Sequence, residues 1–198
     1  NIVTLYDAGE EGDSPYLVFE YVPGQSLSAA IKEHKGLQPR QAVDVAIGVL
    51  RGLACAHGKR VLHRDIKPAN ILVDAQGEPH IADFGVAKCE TVETNQTLDG
   101  HLLGTPAYMS PEQARGHPVD FRTDLFSLGV VLYRVATGIP PFSGGSTMAI
   151  LTSLAVDHPP PPIELNPELP PALSDLIMRL LAKDRDQRPA SAVEVASA

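Results

Sequence analysis

The chain has 198 residues, of which 43% are hydrophobic, enough to build one domain around a sizeable core. A formal charge of −8 argues against nucleic acid or an anionic membrane as a general partner, since either is repelled over most of the surface. Cys55 and Cys89 form neither a disulfide framework nor a C-x-x-C pair, and no uncharged apolar run reaches membrane-spanning length because Arg134 and Gly138 interrupt the strongest one. With no signal-peptide pattern at its start, the chain reads as cytoplasmic, any membrane anchor lying outside these residues. Residues 2–8 and 15–22 are rich in Val, Leu, Tyr and Phe around Gly12-Asp13-Ser14, which predicts two strands joined by a turn. A short polar helix is expected over 26–35. A longer one starts at Pro39, where a missing N–H costs nothing, carries Val43, Ile47, Leu50 and Leu53 on one apolar face, and can end at Gly58.

The most specific stretch follows that helix: His63-Arg64-Asp65-Ile66-Lys67-Pro68-Ala69-Asn70, then a short apolar strand Ile71-Leu72-Val73, a turn at Gln76-Gly77, and Asp83-Phe84-Gly85. It holds the groups for moving a phosphoryl group. Asp65 is a carboxylate that can orient an attacking hydroxyl and accept its proton, and Lys67 is a point cation for the phosphate. Asn70 and Asp83 offer the hard oxygen ligands that Mg²⁺ prefers. Taken alone, each piece is weak: a His-x-Asp pair suggests a metal site, although His63 reads better as a packed core histidine. Order and spacing carry the weight, because Gly104-Thr105-Pro106-Ala107-Tyr108-Met109-Ser110-Pro111-Glu112 comes about twenty residues further on. Downstream, Ser127–Tyr133 is apolar nearly all round, as in a buried helix. Residues 148–156 are read as helical, Pro159–Pro171 as a stiff extended connector, and Leu173, Leu176, Ile177, Leu180 and Leu181 as the stripe of a helix started by Pro171.

The first two of these motifs match the H-R-D-x-x-x-x-N and D-F-G signature, and with the third in place the chain resembles the eukaryotic-type serine/threonine protein kinases over essentially its whole length. Met109–Gly116 looks most like their bacterial branch. The resemblance implies an α+β, protein kinase-like fold in which residues 1–22 are a remnant of the small lobe with the hinge, and 23–198 the helical large lobe, cut within its last helix. It implies ATP and Mg²⁺ as cofactors, with protein Ser/Thr hydroxyls, including those of another copy, as acceptors. Asp65 is then the catalytic base, Lys67 contacts the transferring phosphate, and Asn70 and Asp83 hold the metal. Leu72 packs beneath adenine, backbone groups of Glu20 and Val22 hydrogen-bond to it, and Phe19 is the gatekeeper. By the same resemblance Lys67 and Gly104-Thr105 go with serine and threonine as acceptors, and Thr105 donates to Asp65. Arg64 pairs with a phosphorylated activation-segment residue, Thr97 being favoured over Thr91 and Thr94. His63 and Phe84 are structural, Glu112 pairs with Arg188, and Asp124 accepts from backbone N–H groups around His63 and Arg64. Tyr108, Asp120, Arg122 and Gly129 also fit, while Ser110 replaces the family's usual alanine.

The resemblance begins partway through the small lobe. No G-x-G-x-x-G loop, V-A-I-K lysine or partner glutamate occurs, so the chain is expected to be a fragment lacking about sixty residues at the front, with weak ATP binding and slow transfer by itself. Two other readings stand beside it. A small-molecule kinase of the same fold, of the kind acting on aminoglycosides, would lack Lys67 and the 104–112 features. A pseudokinase or scaffold would have no use for an intact set of large-lobe catalytic groups.

Overall fold

The computed structural model describes residues 1–34, 37–84 and 106–197. Strands β1 (Leu5–Glu11) and β2 (Ser14–Phe19) form an antiparallel hairpin, turned at Gly12 with φ 64°. Residues 2–4, expected in the first strand, do something else: Ile2 bridges Ile81 in parallel, Val3 N–H donates to Ile81 O at 2.9 Å, and Ile81 N–H donates to Asn1 O at 2.9 Å. The second strand ends at Phe19 rather than residue 22, and the chain crosses to β3 (Gly24–Ser26). Strand β3 pairs antiparallel with β4 (Ile71–Asp74), and β4 with β5 (Pro79–Ile81). Gly24 permits that crossing, because a Cβ there would lie 2.0 Å from Val73 O.

Helix α1 (Leu27–His34) buries Leu27, Ala30 and Ile31. Helix α2 (Pro39–Gly58) opens with Pro39 in its first turn, and the Gln41 side chain accepts from Gln38 N–H at 3.1 Å. Its buried face differs from the expected one. Ala42, Val45, Ala46, Val49, Leu50, Leu53 and Ala56 are buried, while Val43 and Ile47 are only half-buried: the small alanines, which a search for large apolar residues passes over, let neighbours come close.

The core is organised on α4 (Arg122–Thr137), buried from Thr123 through Tyr133 and stopped by Gly138 in the left-handed conformation, φ 78°. Helix α4 packs against α2 and α7 (Pro171–Leu180). Gly129 sits at the latter crossing, where a Cβ would come 2.8 Å from Leu180 Cβ. Helix α8 (Ala192–Ala196) closes on α2. Short α3 (Pro111–Ala114) and α5 (Thr147–Val156) lie in contact with each other. The proline-rich connector is not extended throughout, because Pro162–Leu165 makes one helical turn, α6. Proline suits its first position, and the Asn166 amide ties the turn's end to Ala136 O at 2.9 Å. The result is α+β: a hairpin and a small three-stranded sheet at the side of a helical body.

Candidate active site

The loop between α2 and β4 is held in an unusual backbone conformation by a buried carboxylate. Arg64 has φ 65°, a left-handed geometry that a non-glycine residue keeps only when its surroundings enforce it. Asp124, in the first turn of α4 and 0% exposed, does the enforcing. Its Oδ1 accepts from Arg64 N–H at 2.8 Å and its Oδ2 from His63 N–H at 3.0 Å. A third donor is His57 Nε2 at 2.8 Å. Three donors make a buried carboxylate tolerable, and they fix the His57 tautomer: Nε2 carries the proton, while Nδ1 is buried without a partner among the described residues. Sequence reasoning missed His57. No local signal marks it, since its partner lies 67 residues away.

His63 is fully buried, its ring 4.7 Å from that of Phe84. Nε2 donates to Ala82 O at 2.9 Å and Nδ1 accepts from Asp65 N–H at 3.2 Å, so both nitrogens are used by the neutral ring. Burial pushes its pKa below the usual imidazole value despite the Ala82 carbonyl and nearby carboxylates. The ring ties the Asp65 loop to the segment entering Asp83.

Asp65, Lys67 and Asn70 come together. Asp65 Oδ2 accepts from Lys67 Nζ at 2.7 Å and from Asn70 Nδ2 at 3.2 Å, and Asn70 Nδ2 also donates to Asp65 O at 3.0 Å. The side chains of Asp65 and Lys67 keep about a quarter of their surface open, 25% and 22%. Asn70 is placed by the 3₁₀ turn Pro68–Asn70 that leads straight into β4. With its amide nitrogen committed to Asp65, its Oδ1 is left as a neutral oxygen ligand. Asp83, exposed and with φ 58°, supplies a carboxylate two residues past the end of β5. One amide oxygen and one carboxylate suit Mg²⁺, which takes few protein ligands and keeps water or phosphate in its other positions. No group of three or more His, Cys, Asp or Glu placed to hold a metal ion occurs among the described residues.

Leu72, expected beneath the adenine ring, is half-buried in the middle of β4. Glu20 turns its carboxylate back to Thr4, accepting from its N–H at 3.1 Å and Oγ1 at 2.9 Å, and these bonds lower its pKa. Glu20 N–H donates to Thr4 O at 2.8 Å. Phe19 is 37% exposed. Gly85, Thr91, Thr94, Thr97, Gly104 and Thr105 lie outside the described residues.

A second buried carboxylate supports the far side. Arg188 grips Glu112 through two bonds, Nη1 to Oε1 at 2.7 Å and Nη2 to Oε2 at 2.9 Å, and Thr123 Oγ1 donates to Oε1 at 2.8 Å. Arg188 also donates to the carbonyls of Ala182, Arg122 and Lys183, and its guanidinium lies 4.8 Å from the Phe126 ring centroid. Burial alone would raise the Glu112 pKa, but the hydrogen bonds and charge of Arg188, with Thr123, outweigh it and bring it down to about 2. Next to it, Ser110 and Gln113 cap α3 reciprocally, Gln113 N–H to Ser110 Oγ at 3.3 Å and Ser110 N–H to Gln113 Oε1 at 3.0 Å. Gln113 Nε2 then reaches Arg64 O at 2.9 Å. Sequence reasoning missed this link from α3 to the catalytic loop.

Comparison with known proteins meets this geometry. The protein kinase domain matches residues 1–197. A probable serine/threonine-protein kinase PknB of Bifidobacterium longum is 42% identical over 98% of this chain and 30% of its own length. A probable serine/threonine-protein kinase of Clostridium perfringens is 40% identical over 98% of this chain and 28% of its own. The serine/threonine-protein kinase PknB of Mycolicibacterium smegmatis is 37% identical over 98% and 32%. The chain thus spans less than a third of the length of each of these relatives. With the kinase motifs of its catalytic loop gathered around one carboxylate, and the family matched from end to end, the chain belongs to the protein kinase domain family.

Proposed function

We propose that the protein transfers the γ-phosphate of ATP to serine and threonine hydroxyls of proteins. The observation that carries this reading is the convergence of Lys67 Nζ and Asn70 Nδ2 on one oxygen of the partly exposed Asp65 side chain. Phosphoryl transfer asks for positioning and charge neutralisation more than covalent help. Asp65 orients the acceptor hydroxyl and takes its proton as the new P–O bond forms and the β–γ bridging bond breaks, releasing ADP. Lys67 neutralises charge on the moving phosphoryl group. Mg²⁺, held by Asn70 and Asp83, supplies the rest of that neutralisation when bound. Adenine lies over Leu72 and uses the Glu20 carbonyl and Val22 N–H. Phosphate on Thr97, placed there by another copy, orders the segment through Arg64. Thr105 shapes the acceptor site, and the reaction takes place in the cytoplasm.

The test is transfer of labelled γ-phosphate to a serine/threonine-rich protein by the full gene product containing this chain, compared with its Asp65→Asn variant. A general base contributes typically ~10²–10⁴-fold, so a loss of that order with ATP binding kept is expected. Equal rates in the two proteins would defeat the proposal.

A further inference from the structure

The peptide unit between Arg64 and Asp65 is held from both sides. Its N–H, that of Asp65, donates to His63 Nδ1 at 3.2 Å, and its oxygen, Arg64 O, accepts from Gln113 Nε2 at 2.9 Å. A peptide unit is planar, so pinning both groups fixes the plane and with it the direction in which the Asp65 side chain leaves the backbone. The residue in front of that unit is the left-handed Arg64, φ 65°, whose own N–H is taken by Asp124 Oδ1 at 2.8 Å. Of these three holds, the one from His63 is local, the one from Asp124 comes from α4, and the one from Gln113 comes from α3.

Gln113 is a firm anchor. Its Oε1 accepts from Ser110 N–H at 3.0 Å, so the amide has one workable orientation: turned over, it would aim its oxygen at the Arg64 carbonyl and its nitrogen at an N–H. Helix α3 is fixed in turn to α4 by buried hydroxyls, because Ser110 Oγ donates to Thr123 Oγ1 at 3.4 Å and Thr123 Oγ1 to Glu112 Oε1 at 2.8 Å. Thr123 is the neighbour of Asp124. The grips on the Arg64 N–H and on its carbonyl are therefore both referred to the first turn of α4. Helix α3 also begins inside the 104–112 motif, whose Thr105 the kinase reading gives to the acceptor site.

We infer that Gln113 is a positioning residue for phosphoryl transfer: by holding the Arg64 carbonyl it keeps the Asp65 carboxylate aimed at the acceptor hydroxyl, and it makes the acceptor segment and the catalytic loop one rigid piece. The inference rests on the kinase reading of Asp65. Gln113 acts through the backbone of Arg64 alone, with no part in the chemistry. A reacting group displaced by ~1 Å loses ~10²-fold in rate. Lys67 and Asn70 also hold Asp65, so loss of the Gln113 brace is worth less, about tenfold.

Two substitutions in the full gene product separate the brace from the helix cap. Gln113→Glu keeps an acceptor for Ser110 N–H, as in other capping boxes, but has no donor for Arg64 O; Gln113→Ala keeps neither. The expected result is a kcat about tenfold lower in both, with KM for ATP within about twofold of the unsubstituted protein. Only Gln113→Ala should also lower the Tm, by about 2–4 °C for the lost cap. A residue serving stability alone gives another pattern, in which activity follows Tm and Gln113→Glu behaves as the unsubstituted protein. A second readout needs no catalysis: hydrogen exchange, followed by mass spectrometry, of the peptide containing Asp65, with α4 as the reference. It should run about tenfold faster in Gln113→Glu, while α4 is unchanged. Unchanged kcat in Gln113→Glu, or unchanged exchange around Asp65, overturns the inference. Absence of transfer by the unsubstituted protein would instead overturn the kinase reading, and the exchange rates would still decide whether Gln113 holds the loop.

Discussion

Arg188 has side-chain exposure of 0%, and every nitrogen of its guanidinium has an acceptor. Removing it leaves Glu112 buried without its counter-charge, a change that typically costs ~3–5 kcal/mol. Arg188→Ala should therefore lower the Tm by many degrees, and an unchanged Tm would show the pair to be ornamental. Acid gives the same pair a second test. The folded-state pKa of Glu112 is depressed, from 4.5 to about 2, so its stabilisation is complete above about pH 4.5 and is lost as pH falls toward 2. A shift of that size is worth about 3 kcal/mol. Glu112→Gln should flatten this acid limb of the stability profile; a wild-type and variant that lose stability in parallel would assign the limb to other carboxylates.

The elements were legible to different degrees, for physical reasons. Helix α4 could be read because its sequence is apolar nearly all round and α7 because its apolar residues recur at helical spacing, while Pro39 and Pro171 mark starts that proline favours. The face of α2 was harder, since alanine carries little hydrophobic signal yet fills much of the contact. Strand bounds shifted because the pairing of residues 1–3 with β5 depends on a partner almost eighty positions away. In the candidate site, the catalytic loop was readable as a string, and Asp124 and Arg188 through family resemblance. His57 and Gln113 were not, because a side chain that braces a distant backbone leaves no periodic trace. The crossing of α4 and α7 makes a prediction at this scale. In Gly129→Ala the added methyl meets Leu180 Cβ at 2.8 Å, so the helices must separate. A loss of ~1–3 kcal/mol is expected in chemical denaturation, as for other overpacked cores. No change in the midpoint would mean that the crossing has slack.

For the molecule as a whole, stability is unevenly spread. The helical body encloses α4, whereas both faces of the β1–β2 hairpin are open: Leu5, Tyr6, Tyr16, Leu17 and Val18 are 42–66% exposed. A two-stranded hairpin with no covered face is marginal by itself. Backbone amides of β1 and β2 should exchange with solvent far faster than those of α4, which open only with the global transition. Hydrogen exchange at equal rates in both would make the hairpin part of the same cooperative unit. No helix among the described residues is long and apolar enough to cross a membrane.

The carboxylate of Asp124 also sets a clock. Arg64 takes up its left-handed backbone against an acceptor that comes 60 residues later in the chain. At a synthesis rate of roughly 5–20 residues per second, Arg64 is made some ~3–12 s before Asp124. During that interval the loop bearing Asp65 has its whole sequence but not its brace. The backbone geometry of the loop bearing Asp65 is therefore completed only after the start of α4 has been translated.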